Sequence, residues 1–490
     1  MNLIRCMPAD LWETVDVDVS TRALNTWRLT RALVASDWDR LLKYSPRITS
    51  LTEVEHPYDP QFPYLPTVLD TLRRGVPGDY LLPGLEHIDW NLTGEALSCI
   101  DVFLGPHISS INIKNCTSDT LLATLAAKYP TLTAVDLHSV DPVEVDSTQL
   151  YDARSNFVRT LTDVHSVKMD TIDLSAFTHL GQISTLETLH IAIPASISFA
   201  GVPEQTLFPS LRTAEINAQR NDVQELIAFL RTWNDTPVES FSAFLDAYLS
   251  EKHIEDLYRV LADRCVNDCL QALKLELLKA NPSITYPASS THPPSALRHL
   301  FPFENLISVS IHVLNGFDLD DTLITDLSLA WPYIEDLELR TDAQPHPPRA
   351  TLLALLALSE NCPDLTKLEI ALDATDIPPP HIAPEPRHVA QENLVSLAIG
   401  QSRIDSAFGV ARFLSSIFSA VQVVTPADPY VYMEVIDDEA VEMGVLREEE
   451  WRHGVNFARG VMAKSAQAAE GEEADEDEDG DDDEGEGMDE

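Results

Sequence analysis

An apolar residue, two variable ones, a second apolar residue, one variable residue and a third apolar residue recur along the chain, and this pattern constrains its fold more than any other feature. It reads LEHIDW from Leu85, ISSINI from Ile108, LTAVDL from Leu132, VHSVKM from Val164, LETLHI from Leu186 and LRTAEI from Leu211. It continues as VESFSA from Val238, LQALKL from Leu270, LISVSI from Leu306, IEDLEL from Ile334, LTKLEI from Leu365 and LVSLAI from Leu394, with an earlier copy, ITSLTE, from Ile48. From Leu85 onward the intervals are 23, 24, 32, 22, 25, 27, 32, 36, 28, 31 and 29 residues, which suits one strand and one helix per unit with loops inserted in the longer ones. Apolar positions two apart point the same way off a short strand. One unit cannot cover them alone, so each must stack on the next.

Helical stretches that end in proline precede several copies: LLATLAAKYP before Leu132, LITDLSLAWP before Ile334 and LLALLALSENCP before Leu365. Their apolar residues recur at three and four, the helix period, and the proline stops the helix just ahead of the strand. The spacing predicts an α/β solenoid of helix–strand repeats with a curved parallel sheet. The repeats are expected over 45–420, flanked by a helical N-terminal cap over 1–44 and a C-terminal cap over 421–465, with an acidic disordered tail over 466–490.

The repeating unit resembles the leucine-rich repeat, in the ribonuclease-inhibitor-like class of that family. A narrower resemblance lies in residues 11–51, LWETVDVDVSTRALNTWRLTRALVASDWDRLLKYSPRITSL, and extends to FLRTWNDTPVESFSAF and GFDLDDTLITDLSLAWPYIEDLEL. These segments are similar to those that follow the F-box in large fungal, basidiomycete-type F-box and leucine-rich-repeat proteins. The resemblance implies recognition of a protein substrate for ubiquitin transfer. The helical F-box module that docks a Skp1-type adaptor has no counterpart in the residues before Leu11, so Skp1 and cullin are expected partners only if such a module lies upstream of Met1.

Charge narrows the partners further. With 33 Lys and Arg against 79 Asp and Glu in 490 residues, the formal charge is -46, and bulk attraction to phosphate backbones is excluded. Fifteen acids and no base fall between Glu470 and Glu490, a composition that cannot bury apolar surface and repels itself. Without them the rest still carries 64 acids against 33 bases, or -31. The tail suits basic proteins such as histones, which gives a second reading of function: an acidic-tailed scaffold. No run of about 18 to 20 apolar residues suggests a membrane span, and MNLIRCMPADLWE lacks the apolar core of a secretory signal. The chain reads as intracellular, cytoplasmic or nuclear, with reduced cysteines. The sequons at Asn91, Asn115 and Asn234 then read as chance matches.

Chemistry finds few addresses. GFDLDDTLIT, residues 316–325, looks like the first motif of haloacid-dehalogenase-type phosphatases, with Asp318 as nucleophile, Asp320 as acid, and Asp437 and Asp438 as a magnesium pair. Asn315 and Gly316 interrupt the strand that such a motif needs, and DDTLITDLSLAWP reads better as a repeat helix with Asp320 or Asp321 as N-cap. Cys265 and Cys269, with His253 nearby, have the spacing of two metal ligands on one helical face, but HIEDLYRVLADRCVNDCL reads better as an amphipathic helix burying two thiols. Cys362 is expected to pack at a helix end. Trp12, Trp38, Trp90, Trp233 and Trp331 are expected to fill the core from helices or turns at repeat junctions. We expect no catalytic residue, no metal and no cofactor.

The remaining strand positions point outward and form the candidate protein-binding face. They are His87, Asp89, Asn91, Ser110, Asn112, Lys114, Asp136, His138, Thr188, His190, Thr213, Glu215, Asn217, Lys274, Glu276, Ser308, His312, Asp336, Glu338, Arg340, Lys367 and Glu369. Seven carboxylates and four Lys or Arg among them suit a complementary protein surface more than a small-molecule pocket.

Overall fold

Each strand of the repeat starts two residues after the first apolar residue of its copy, in a computed structural model that describes residues 6–19, 22–52, 65–91, 94–114, 116–138, 148–193, 197–199, 207–218, 223–245, 249–277, 292–313, 316–341, 347–378, 391–399, 402–421 and 423–425. The tail, the expected C-terminal cap beyond 425, Asn115, Asp437 and Asp438 lie outside the described residues. The chain forms two compact units: Met1–Ala247 with Val260–Leu270, and Tyr248–Arg259 with Gln271–Glu490.

The first unit opens with an antiparallel hairpin of β1 (Trp12–Val19) and β2 (Arg22–Leu29). The helical cap expected over 1–44 is therefore half wrong. Four β-branched residues, Thr14, Val15, Val17 and Val19, favour extended backbone there, and Trp12 lies on a strand instead of in a helix or turn. Apart from a 3-10 turn at Ala9–Leu11, helix begins at Ala35 and runs through α1 (Asp39–Tyr44) to Arg47.

The repeats follow as β3 (Ser50–Thr52), α2 (Leu65–Gly75), β4 (His87–Trp90), β5 (Ser110–Ile113), α3 (Asp119–Lys128) and β6 (Ala134–Asp136). Next come α4 (Thr148–Val158), β7 (Ser166–Met169), α5 (Leu174–Gln182), β8 (Thr188–Ala192), β9 (Thr213–Ala218), α6 (Val223–Leu230) and β10 (Ser240–Leu245). Strands β3 to β10 pair in chain order, all parallel. One carbonyl per repeat takes two N–H groups from the next: Ser109 and Ser110 donate to Glu86 O, then Thr133 and Ala134 to Ser109 O, and so on to Arg212 O.

The chain passes between the units after Ala247, within α7 (Glu251–Arg264) and after Leu270. The second unit contains β11 (Ala272–Leu277), α8 (Pro294–Leu297), β12 (Ser308–Val313), α9 (Asp321–Ala330), β13 (Asp336–Thr341), α10 (Leu352–Asn361) and β14 (Lys367–Glu369). It ends with β15 (Asp373–Ala374), β16 (Ser396–Ala398), β17 (Arg403–Ile404), α11 (Ala407–Ile417) and β18 (Val423–Thr425). Strands β11, β12, β13, β14, β16 and β18 are parallel neighbours in that order, and β15 pairs separately with β17.

The first, fourth and sixth positions of all twelve copies from Leu85 are buried, from Leu85, Ile88 and Trp90 to Leu394, Leu397 and Ile399. Each Val, Leu, Ile, Phe or Met among them withdraws apolar surface worth roughly 1.5–3 kcal/mol, the alanines Ala214 and Ala243 less. Helices start on side-chain caps: Ser118, Asp173, Asp320, Thr351 and Ser406 each accept a first-turn N–H at 2.8–3.2 Å. In the first unit Phe177, Phe199, Phe208, Phe229, Trp233 and Phe241 stack at centroid distances of 5.0–6.2 Å, mostly edge to face. Both units are thus α/β solenoids of leucine-rich-repeat type, with helices between most of the successive parallel strands.

Two further expectations need correction. Trp90 ends a strand and occupies the sixth repeat position, so it fills the core from β4 and not from a junction. Cys265 and Cys269 do not share a helix, because α7 stops at Arg264. Cys265 is buried beside Thr236 in an isolated bridge, and Cys269 lies in the following turn. Burial pushes the Cys265 thiol up to about 12, so it stays protonated. Cys362 caps α10 and sits buried over the carbonyls of Ser328 and Trp331.

Candidate protein-recognition surface

The third and fifth positions of each copy face away from the apolar spine, and strand register sets their side chains side by side. In the first unit the fifth positions run Asp89, Asn112, Asp136, Lys168, His190 and Glu215, one strand to the next. His87 is exposed at the row's edge, while Asp89, Asn112, Lys114 and Asn217 are half-buried.

Two histidines organise this face. His138, just past β6, meets Asp136 through Nδ1 at 2.5 Å, and His190 on β8 meets Glu215 on β9 through Nδ1 at 3.2 Å. The rings stack with centroids 5.8 Å apart and planes 23° apart. A carboxylate at Nδ1 holds the proton there while the ring is neutral and leaves Nε2 as an acceptor. Neither Nε2 has a partner among the described residues. Lys168 stands in register between Asp136 and His190 and has no ion-pair partner among them either. Asn112 Oδ1 is shielded from solvent without a hydrogen bond. Several polar groups are therefore positioned by the fold without a protein partner among the described residues.

The second unit's face is arranged otherwise. Glu338, expected outward, is only 9% exposed. It pairs with Lys367, lies 3.2 Å from Arg340 Nη2, and accepts from Ser310 Oγ at 3.0 Å. Arg340 Nε also donates to Glu369 at 2.8 Å, and Lys274 pairs with Glu276 at 2.9 Å. Burial raises Glu338, but Lys367, Arg340 and Ser310 outweigh it and hold the carboxyl below its ordinary value. At Glu369 burial wins over Arg340 and the carboxyl is raised. His312 and Asp336 lie half-buried on the same face.

The phosphatase-like residues are taken up structurally. Gly316, at φ 73°, turns the chain before Asp318. Arg349 holds Asp318 at 3.1 and 3.2 Å and Asp320 at 3.0 Å, while Asp320 caps α9 through Leu323 N at 2.9 Å. Asp321 receives both the backbone N–H and the hydroxyl of Thr351, tying α9 to α10. Sequence reasoning missed Arg349, which stands 31 residues beyond Asp318 in no motif of its own, and Arg154, buried in α4 at 3.0 Å from Asp170. It also missed His292, buried with Nε2 at 2.7 Å from Tyr258 OH. Burial pushes His292 down to about 3.

Among the described residues no helix is long and apolar enough to cross a membrane, and no group of three His, Cys, Asp or Glu is placed to hold a metal ion. No family model matches the chain, and no curated protein does. Among solved structures it is similar to the crystal structure of the Rad7 and Elc1 complex in yeast, at 12% identity and a TM-score of 0.38 over 76% of each chain.

Proposed function

We propose that the chain is a protein-recognition module that performs no chemistry itself and serves as the substrate-reading part of a ubiquitin ligase of the Skp1–cullin–F-box kind. The observation that carries the recognition reading is the first unit's sheet face. Eight parallel strands at about 4.8 Å spacing present in-register polar side chains over roughly 34 Å. At its centre, His138 and His190 are oriented by Asp136 and Glu215, and their outer nitrogens have no partner among the described residues. Such a row suits hydrogen-bond recognition of an extended macromolecular surface. The ligase half rests on the F-box-protein resemblance of residues 11–51.

Tagged protein recovered from cells tests both halves. The reading expects a substrate that accumulates when the proteasome is blocked, co-recovery of Skp1 and cullin, and loss of the substrate alone in His138→Ala with His190→Ala. Recovery of the substrate without Skp1 or cullin would end the ligase half, and unchanged recovery by the double variant would end the surface assignment.

A second reading draws on the fifteen acids of Glu470–Glu490, which suit basic proteins such as histones. Deleting that stretch should then abolish histone binding in a direct titration, and unchanged affinity would remove the idea.

A further inference from the structure

In a chain with charge -46, one helical stretch faces outward with apolar side chains and with cations that have no ion-pair partner among the described residues. Residues 35–47 form a continuous helical run, 3-10 at both ends and α in the middle. One side is buried: Asp37, Trp38, Leu41 and Ser45. The other side shows Arg40, Lys43, Tyr44 and Arg47, at the spacing of successive helical turns, with Leu42 and Val34 exposed beside them. Tyr44 is 42% and Val34 52% exposed, and three of the eight large hydrophobic side chains that the described residues expose fall within 34–44.

The run is held firmly. Arg31 grips Asp37 with two bonds of 2.6 and 2.8 Å, and that grip, with the Val34 N–H, lowers the Asp37 carboxyl to about 2. Trp38 packs over Gly75, where a Cβ would come within 3.2 Å of its ring, and Gly84 lies so close to the Pro46 carbonyl that a Cβ would clash with it. The outward side is therefore a preformed surface.

Its charge identifies the occupant. Arg31, Arg73, Arg74, Arg159, Arg212 and Arg340 are among the many cations that find carboxylates in this acid-rich chain. Arg40, Lys43 and Arg47 have no ion-pair partner among the described residues, and Asp39 is the one acid on their exposed side. We infer that the helical run 35–47 is a docking surface for an acidic segment of a partner protein, whose carboxylates meet Arg40, Lys43 and Arg47 and whose apolar side chains cover Leu42 and Tyr44. An anionic membrane is the poorer fit. An extended lipid surface would meet the whole chain's negative field, whereas a peptide would meet only the patch, because salt screens charge beyond about 8–10 Å. This surface is independent of the sheet face.

The test titrates the full chain, by fluorescence anisotropy, into a fluorescein-labelled helical peptide with glutamates on one side and leucines on the other. The proposal expects salt-sensitive binding, weakened roughly tenfold or more by Arg40→Glu with Lys43→Glu and several-fold by Leu42→Ser with Tyr44→Ser. Reversal of an ion-paired exposed cation elsewhere, Arg259→Glu, should leave it unchanged. Circular-dichroism melts should match wild type in each case; if the reversal variant melts early, Arg40→Gln with Lys43→Gln replaces it and must also weaken binding. Absent binding, equal binding by the charge variants, or capture of phosphatidylserine vesicles in place of the peptide overturns the proposal. So does sedimentation showing self-association that the same variants abolish, since a second copy would then be the occupant.

Discussion

The sheet faces of the two units are built on the same repeat and use their polar residues in opposite ways. In the second unit the charges close on one another: Glu338 engages Lys367, Arg340 and Ser310, and Arg340 also engages Glu369. In the first unit His138 and His190 are anchored from one side only, and Lys168 and Asn112 Oδ1 have no partner among the described residues. A polar outward face is therefore no sign of a binding site by itself. What separates the two is whether the fold has consumed the hydrogen-bonding capacity that it positions.

The comparison first requires that the spines be equivalent. Leu189→Ala in the first unit and Leu337→Ala in the second remove side chains buried at the same repeat position, so each should cost about 2–5 kcal/mol in urea unfolding. A large cost in one and none in the other would mean that the two are not the same kind of stack.

A second, smaller effect belongs to the second unit alone. His292 ordinarily titrates near 6.5 and is pushed down to about 3 by burial. Between those values the unfolded chain binds a proton that the folded chain refuses, so stability falls as pH falls, by up to about 1.4 kcal/mol per unit and about 2 kcal/mol at pH 5. Melts from pH 7 to 5 should show this loss, and His292→Phe should flatten the slope even though it costs stability at neutral pH.

The faces themselves come next. Lys367→Met strips Glu338 of a charged partner and should destabilise by about 1–2 kcal/mol. His138→Ala with His190→Ala should change stability by less, within about 0.5 kcal/mol for each site, while abolishing substrate recovery. The reverse pattern would move the recognition surface to the second unit. Smallest of all is Asp318→Asn: its carboxylate holds only the exposed end of Arg349, so melting should shift by no more than about 0.5 kcal/mol.

The spine was legible in the sequence because spacing alone decides which side chains of a short strand point together, and every copy from Leu85 to Leu394 formed its strand where the pattern placed it. β18 escaped notice because VQVVTP puts Pro426, not an apolar residue, at the sixth position. The β15–β17 pair escaped because two-residue strands carry no period. The outward rows were legible as positions but not as partners. Nothing in sequence spacing brings His138 over His190, 52 residues on, and only the strand register shows that Glu338 stands between Ser310 and Glu369. That Arg40, Lys43 and Arg47 have no ion-pair partner among the described residues was hidden for the same reason, since a paired cation and one without such a partner look alike in a sequence.

The most direct test places a photo-crosslinking residue at Thr188, beside His190 on β8, and another at Ser308 at the matching position on β12. The account predicts that irradiation in cells joins a discrete protein at Thr188, that His138→Ala with His190→Ala abolishes the adduct, and that Ser308 yields none. The same adduct from Ser308 alone, or one at Thr188 indifferent to the histidines, would contradict it.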